Sequence, residues 1–69
     1  MKLYIARDKD GSLYIYKHKP IKNKKDGYWN PTKDFLSYFG LNNKNPQFAK
    51  IKWTDRKATI VNVIIKTNN

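Results

Sequence analysis

The chain has no cysteine, no glutamate, a single histidine and no apolar run longer than a few residues. Each of these absences removes a class of protein. Without cysteine there are neither disulfides to reinforce a small core nor a thiolate metal site, and a reducing compartment is acceptable. Leu3 to Ala6 is too short for the apolar part of a signal peptide, and Val63-Ile64-Ile65 is far from a membrane span, so the expectation is a soluble, cytoplasmic protein with no membrane partner. The one histidine, His18, lies between Lys17 and Lys19. The five acids are all aspartates (Asp8, Asp10, Asp26, Asp34, Asp55), placed where turns or a helix start are expected. That inventory offers no nucleophile with its base, no paired catalytic carboxylates and no ligand cluster of metal spacing. We therefore read a non-enzymatic protein with no cofactor and no metal. Asp8-Lys9-Asp10-Gly11 has the opening of a calcium loop but lacks the later ligands and the closing glutamate, and a plain turn accounts for it. Gly11, Gly27 and Gly40 are scattered and match no phosphate-cradling pattern.

What is abundant is lysine. Fifteen Lys plus Arg against five Asp give a formal net charge of +10 in 69 residues, and thirteen of the fifteen are Lys. A charge of this size concentrates polyanions around the chain and points to nucleic acid or another anionic partner. Lys, Asn, Ile and Tyr are also what A/T-rich codons supply, so composition alone explains part of the excess. Missing Glu, whose codons are equally A/T-tolerant, argues that composition is not the whole cause.

Lys2 to His18 is the stretch in which turn chemistry and alternation can be solved together. A loop of Lys9, Asp10 and Gly11, with Gly11 in the left-handed conformation, sets Ile5 against Ile15 and Arg7 against Leu13. Leu3, Ile5, Leu13 and Ile15 then share one face and Tyr4, Ala6, Tyr14 and Tyr16 the other, because strand side chains alternate and a one-residue slip would exchange them all. Lys17 to Gly27 follows with five lysines, His18 and Pro20. It is surface, read either as a solvated, mobile connection or as a phosphate-tracking arm. Tyr28-Trp29 suggests a short strand whose rings cap the core. Asn30-Pro31 reads as a helix start, with Phe35, Leu36 and Phe39 on one helical face and Gly40 as the stop. Ala49, Ile51 and Trp53 alternate with Lys50 and Lys52, the pattern of a half-buried strand. Ala58 to Lys66, apolar on both sides, reads as a central strand that pairs with it in a second hairpin. The expected architecture is one α+β domain over 1–69: a small antiparallel sheet or partly closed barrel of four to five strands, built from two hairpins, with one short helix.

The pattern Leu3-Tyr4-Ile5-Ala6-Arg7-Asp8-x-Asp10-Gly11-x-Leu13-Tyr14-Ile15, followed by Lys19-Pro20, Tyr28-Trp29 and Lys52-Trp53-x-Asp55, resembles short proteins of gut bacteria and their phages that have no assigned activity. The resemblance implies an accessory phage or prophage protein that acts by binding. Its members are acidic after the second Trp, where this chain carries Arg56-Lys57.

The leading expectation is a small module that binds the DNA or RNA backbone electrostatically, with little sequence preference. Lys17, Lys19, Lys22, Lys24, Lys25, Lys50 and Lys52 would meet phosphates, and Tyr14 and Tyr16 would stack on bases. Arg, which makes the bidentate base contacts, is scarce, so readout of sequence is not expected. For the tyrosines the competing reading is burial beneath Trp29, Trp53 or the helix. The alternative function is a phage accessory protein that binds or inhibits an acidic host protein through the same basic surface. A third reading, a carrier for a small anionic ligand, needs a concave pocket.

Overall fold

The computed structural model describes residues 1–33 and 38–63. The first hairpin forms as expected and lies at the centre of the molecule. Strands β1 (Lys2–Arg7) and β2 (Leu13–Tyr16) pair antiparallel with Ile5 opposite Ile15 and Arg7 opposite Leu13. Three hydrogen bonds shape the loop between them. Asp8 N donates to Ser12 O at 2.8 Å, Gly11 N donates to Asp8 O at 3.0 Å, and Ser12 N donates to the Asp10 carboxylate at 2.9 Å. Gly11 has φ +94°, a conformation in which any side chain is strained.

Two further strands, β3 (Ile21–Asn23) and β4 (Tyr28–Asn30), form a separate two-stranded sheet. Strand β5 (Tyr38–Leu41) pairs with β2, and β6 (Thr59–Asn62) pairs with β1. The main sheet therefore runs β5-β2-β1-β6, antiparallel throughout and open at both edges among the described residues, so the chain is not a closed barrel.

Register through the sheet sorts its side chains into two layers. Ile5 and Leu13 are buried on one face with Ile51, against Ile15, Leu41, Phe48 and Val61. Ala6 and Tyr16 are buried on the other with Trp29, against Tyr4, Tyr14, Tyr38 and Trp53. The tyrosine face is thus partly covered by the small sheet and by Trp53, which bury Tyr16 and leave Tyr4, Tyr14 and Tyr38 half-buried, and Trp29 is a core residue, 5% exposed. Two small cores on either side of one hairpin let so short a chain bury both of its faces.

Several expectations from the sequence fail here, each for a local reason. The helix from Asn30-Pro31 to Phe39 does not end as one: Tyr38–Leu41 is strand, with Phe39 opposite Ile15 and Tyr38 opposite Tyr16. Asp34, Phe35 and Leu36 lie outside the described residues. A helix this short has little stability of its own. The free edge of β2 instead offers Tyr38 to Leu41 a ladder of hydrogen bonds, and the Tyr38 ring stacks on Tyr16 at 5.5 Å. The only helical turn among the described residues is a 3₁₀ segment, Pro46–Phe48, capped by the Asn45 side chain accepting from Gln47 N.

The second hairpin also does not form. Ala49 to Trp53 is not a strand, since Ile51 N donates to Phe48 O at 3.1 Å and the Ile51 carbonyl is taken by Arg7. Its apolar alternation has another cause: Ile51 packs into one layer and Trp53 into the other, as the chain passes from one face of the sheet to the other. The segment expected to be central, from Ala58, contributes β6 at a sheet edge, where Ile60 is 55% exposed. Ile64, Ile65 and Lys66 lie outside the described residues.

Candidate nucleic-acid interface

Two of the cations are structural. The Arg7 guanidinium donates to four backbone carbonyls: Ile51 at 2.6 Å, Gly11 at 2.8 Å, Phe48 at 3.0 Å and Asn43 at 3.2 Å. It fastens the irregular segment around the 3₁₀ turn to the first hairpin, work that a fork of fixed donors suits. Lys22, expected at a phosphate, is half-buried. Its Nζ donates to the carbonyls of Trp53 and Asp55 and sits 4.3 Å from the Trp53 ring centroid and 5.6 Å from that of Trp29. An ammonium held by two carbonyls and two rings is a clamp between the small sheet and the crossing segment, not a free charge.

The four aspartates among the described residues are committed as well. Asp8 accepts from Trp29 N, Asp10 from Ser12 N, Asp26 from the Asn23 amide and Asp55 from Lys52 N. The carboxylates of Asp10, Asp26 and Asp55 each organise a turn, whereas that of Asp8 ties the loop of the first hairpin to β4. Burial lifts the Asp8 carboxyl above its ordinary value; the Trp29 N–H pulls it down less strongly, and neighbouring Asp10 adds to the rise. Asp10, fully exposed, is lowered by the Ser12 backbone and hydroxyl.

The remaining lysines of the expected site, Lys17, Lys19, Lys24, Lys25, Lys50 and Lys52, are all exposed, but they do not form one strip. The stretch from Lys17 to Lys25 is a folded element and not a loose arm. Pro20 is buried, Thr32 Oγ1 donates to Lys19 O at 2.9 Å, and Lys9 N donates to Gly27 O at 2.9 Å. Lys24 and Lys25 therefore sit in the turn that packs against the loop of the first hairpin, at the corner where Asp8, Asp10 and Asp26 gather. Lys17 and Lys19 lie beyond the other end of β2. Lys50 and Lys52 flank Ile51, whose carbonyl Arg7 holds.

Of the expected stacking residues, Tyr16 is 2% exposed, with its hydroxyl donating to Trp29 O at 3.4 Å, and burial pushes that hydroxyl far above the ordinary tyrosine value. It cannot meet a base. Tyr14 is half-buried, its ring edge-on to Tyr38 at 5.7 Å and tilted to Tyr16 at 6.4 Å. The aromatic residue that sequence reasoning missed is Phe39. It is 67% exposed and lines a small depression with Leu3, Ile15 and Lys17 on the sheet face opposite the tyrosines. Placing Phe39 on the buried side of a helix hid it; the signal that could have found it is the β-favouring run Tyr38-Phe39 beside Gly40.

A second concavity, a cleft of about 300 Å³, opens on the tyrosine side between the main sheet and β4, lined by Asp8, Tyr14, Tyr28, Trp29 and Tyr38 among others. No helix of the described residues is long and apolar enough to cross a membrane. Comparison with protein families, curated proteins and solved structures returned no match.

Proposed function

We propose that the protein is a small nucleic-acid-binding module that contacts single strands through the uncovered end of its main sheet. The observation that carries this reading is Phe39, an exposed ring on a sheet face with Lys17 lining the same depression. A ring on an open sheet stacks on a base whatever its identity, while ammonium groups beside it meet the phosphates. Lys17 and Lys19 supply that charge at this end, and Lys50 and Lys52 extend it elsewhere on the surface. Lys17, Lys19, Lys50 and Lys52 are all exposed, and the four carboxylates described above are engaged by N–H groups. Contacts made by lysine on a backbone give affinity with little sequence preference.

The test is binding of a labelled single-stranded oligonucleotide across a salt series. Neutralising about four phosphates gives a slope of roughly −3 in log affinity against log salt. Phe39→Ala is expected to weaken binding by about 1–3 kcal/mol, the usual worth of one stacked base. Absence of binding at low salt overturns the reading.

The apolar lining from Leu3, Ile15 and Phe39 supports a second reading: an accessory protein whose partner is an acidic, amphipathic segment of a host protein. Nuclease-insensitive recovery of one acidic protein, with no bound nucleic acid, would favour it.

A further inference from the structure

The cleft on the tyrosine side has a chemistry unlike the rest of this basic surface. Tyr14 and Tyr38 meet at 70°, which gives it two walls near a right angle, and Tyr28 and Trp29 of β4 line it from the small sheet. Among these rings stands one carboxylate, Asp8, fixed by the Trp29 N–H at 3.0 Å on a single oxygen. Among the described residues, the polar partner the fold gives the Asp8 carboxylate is a backbone amide. Asp8 and Tyr28 also border a neighbouring depression with Lys9, Asp10 and Asp26, so three of the five acids of the chain gather at this corner.

Tyr16, stacked on Tyr38 at 5.5 Å, is buried at the back of the cleft and leaves no slot for a base between the two rings, while a carboxylate beside ring faces favours a cation and disfavours an anion. A volume of about 300 Å³ is at the lower end for small-ligand clefts, which run from about 300 to 1,000 Å³, and suits a compact head group. We infer that the cleft bounded by Tyr14, Tyr28, Trp29 and Tyr38 is a binding site for an organic cation, a quaternary or alkylated ammonium group, with Asp8 as its counter-ion. The site lies on the face opposite Phe39 and is independent of the nucleic-acid reading. Tyr14, Tyr28 and Tyr38 supply ring surface to the spread charge of the head group, Trp29, 5% exposed, closes the floor of the cleft, and the carboxylate selects charge over shape.

The experiment titrates the full chain with choline and, separately, with 3,3-dimethyl-1-butanol, its neutral isostere, at constant ionic strength, following the Trp29 indole N–H and Tyr28 resonances by NMR. The expected result is a saturable shift of both signals with choline and about ten-fold weaker response to the isostere, since only the charged ligand gains the cation–π and carboxylate terms. Asp8→Asn retains an acceptor for Trp29 N–H and is expected to keep the fold, seen in an unchanged near-ultraviolet circular dichroism spectrum, while losing the preference for choline. Tyr28→Ala, at a position 41% exposed, is expected to weaken choline binding with the fold intact. Equal responses to choline and isostere, an unchanged preference in Asp8→Asn, or a nucleoside shifting these signals where choline does not would each overturn the assignment.

Discussion

Arg7 Nε lies 2.6 Å from the carbonyl oxygen of Ile51, across a sequence separation of 44 residues, and that bond joins the tip of the first hairpin to the segment covering one of the two cores. Three further carbonyls complete the set around the guanidinium. Arg7→Ala is expected to lower stability by about 2–4 kcal/mol, because it strips four acceptors of their donor at once. Arg7→Lys should recover less than half of this, since a single ammonium cannot span the same acceptors. Urea unfolding of the three proteins measures the difference, and a lysine variant as stable as the parent would contradict the fork geometry.

Lysines of this chain fall into two kinds, and one pair of variants separates them. Lys22→Met should lower the melting temperature, by the equivalent of about 1–2 kcal/mol, through loss of two carbonyl bonds and the stacked ammonium. Lys17→Gln with Lys19→Gln should leave the melting temperature nearly unchanged and flatten the salt dependence of oligonucleotide binding by roughly 1.4, at about 0.7 per phosphate contact on a single strand. Thermal melts and salt titrations on both variants are the check, and exchanged outcomes would reverse the assignment.

Two glycines have positive φ but different neighbours. At Gly11, φ +94°, nothing lies within 4 Å of the position a methyl side chain would take, so Gly11→Ala should cost only the conformational term of about 1–2 kcal/mol. At Gly27, φ +82°, the same methyl would stand 3.2 Å from Lys9 Cβ, where the turn between β3 and β4 packs on the loop of the first hairpin. Gly27→Ala is therefore expected to be the more damaging, and equilibrium unfolding of the two variants orders them.

Tyr16 links stability to alkaline pH. Burial raises its hydroxyl well above the ordinary value of 10.0, so the native state keeps a proton that the unfolded chain loses near pH 10. Above that pH the unfolded state binds fewer protons than the native one, and stability falls as pH rises. Melting followed between about pH 8 and pH 11 should show a decline that is shallower in Tyr16→Phe, which has no hydroxyl to ionise. In Tyr16→Phe the lost bond to Trp29 O is long at 3.4 Å, so the cost at neutral pH should stay near ~0.5 kcal/mol.

The pairing of β1 with β2 was legible in the sequence because everything that sets it is local. Gly11 fixes the turn, and the alternation of Leu3 and Ile5 against Tyr4 and Ala6 allows only one register that keeps the faces unmixed. The turn-forming aspartates were legible for the same reason, since Asp10, Asp26 and Asp55 each bind an N–H within three residues. Only the tertiary structure could decide what covers each face, because that depends on contacts between distant segments. The alternation of Ile51 and Trp53 looks like one face of a strand, yet the two residues enter different cores. The free edge of β2 drew Tyr38 to Leu41 into a strand and left Phe39 in the open, while the carbonyls of Trp53 and Asp55 turned Lys22 inward. Spacing reports which side chains share a face. Which backbone groups lack a partner until another segment arrives is a property of the folded chain, and here that demand placed Arg7, Lys22 and Phe39.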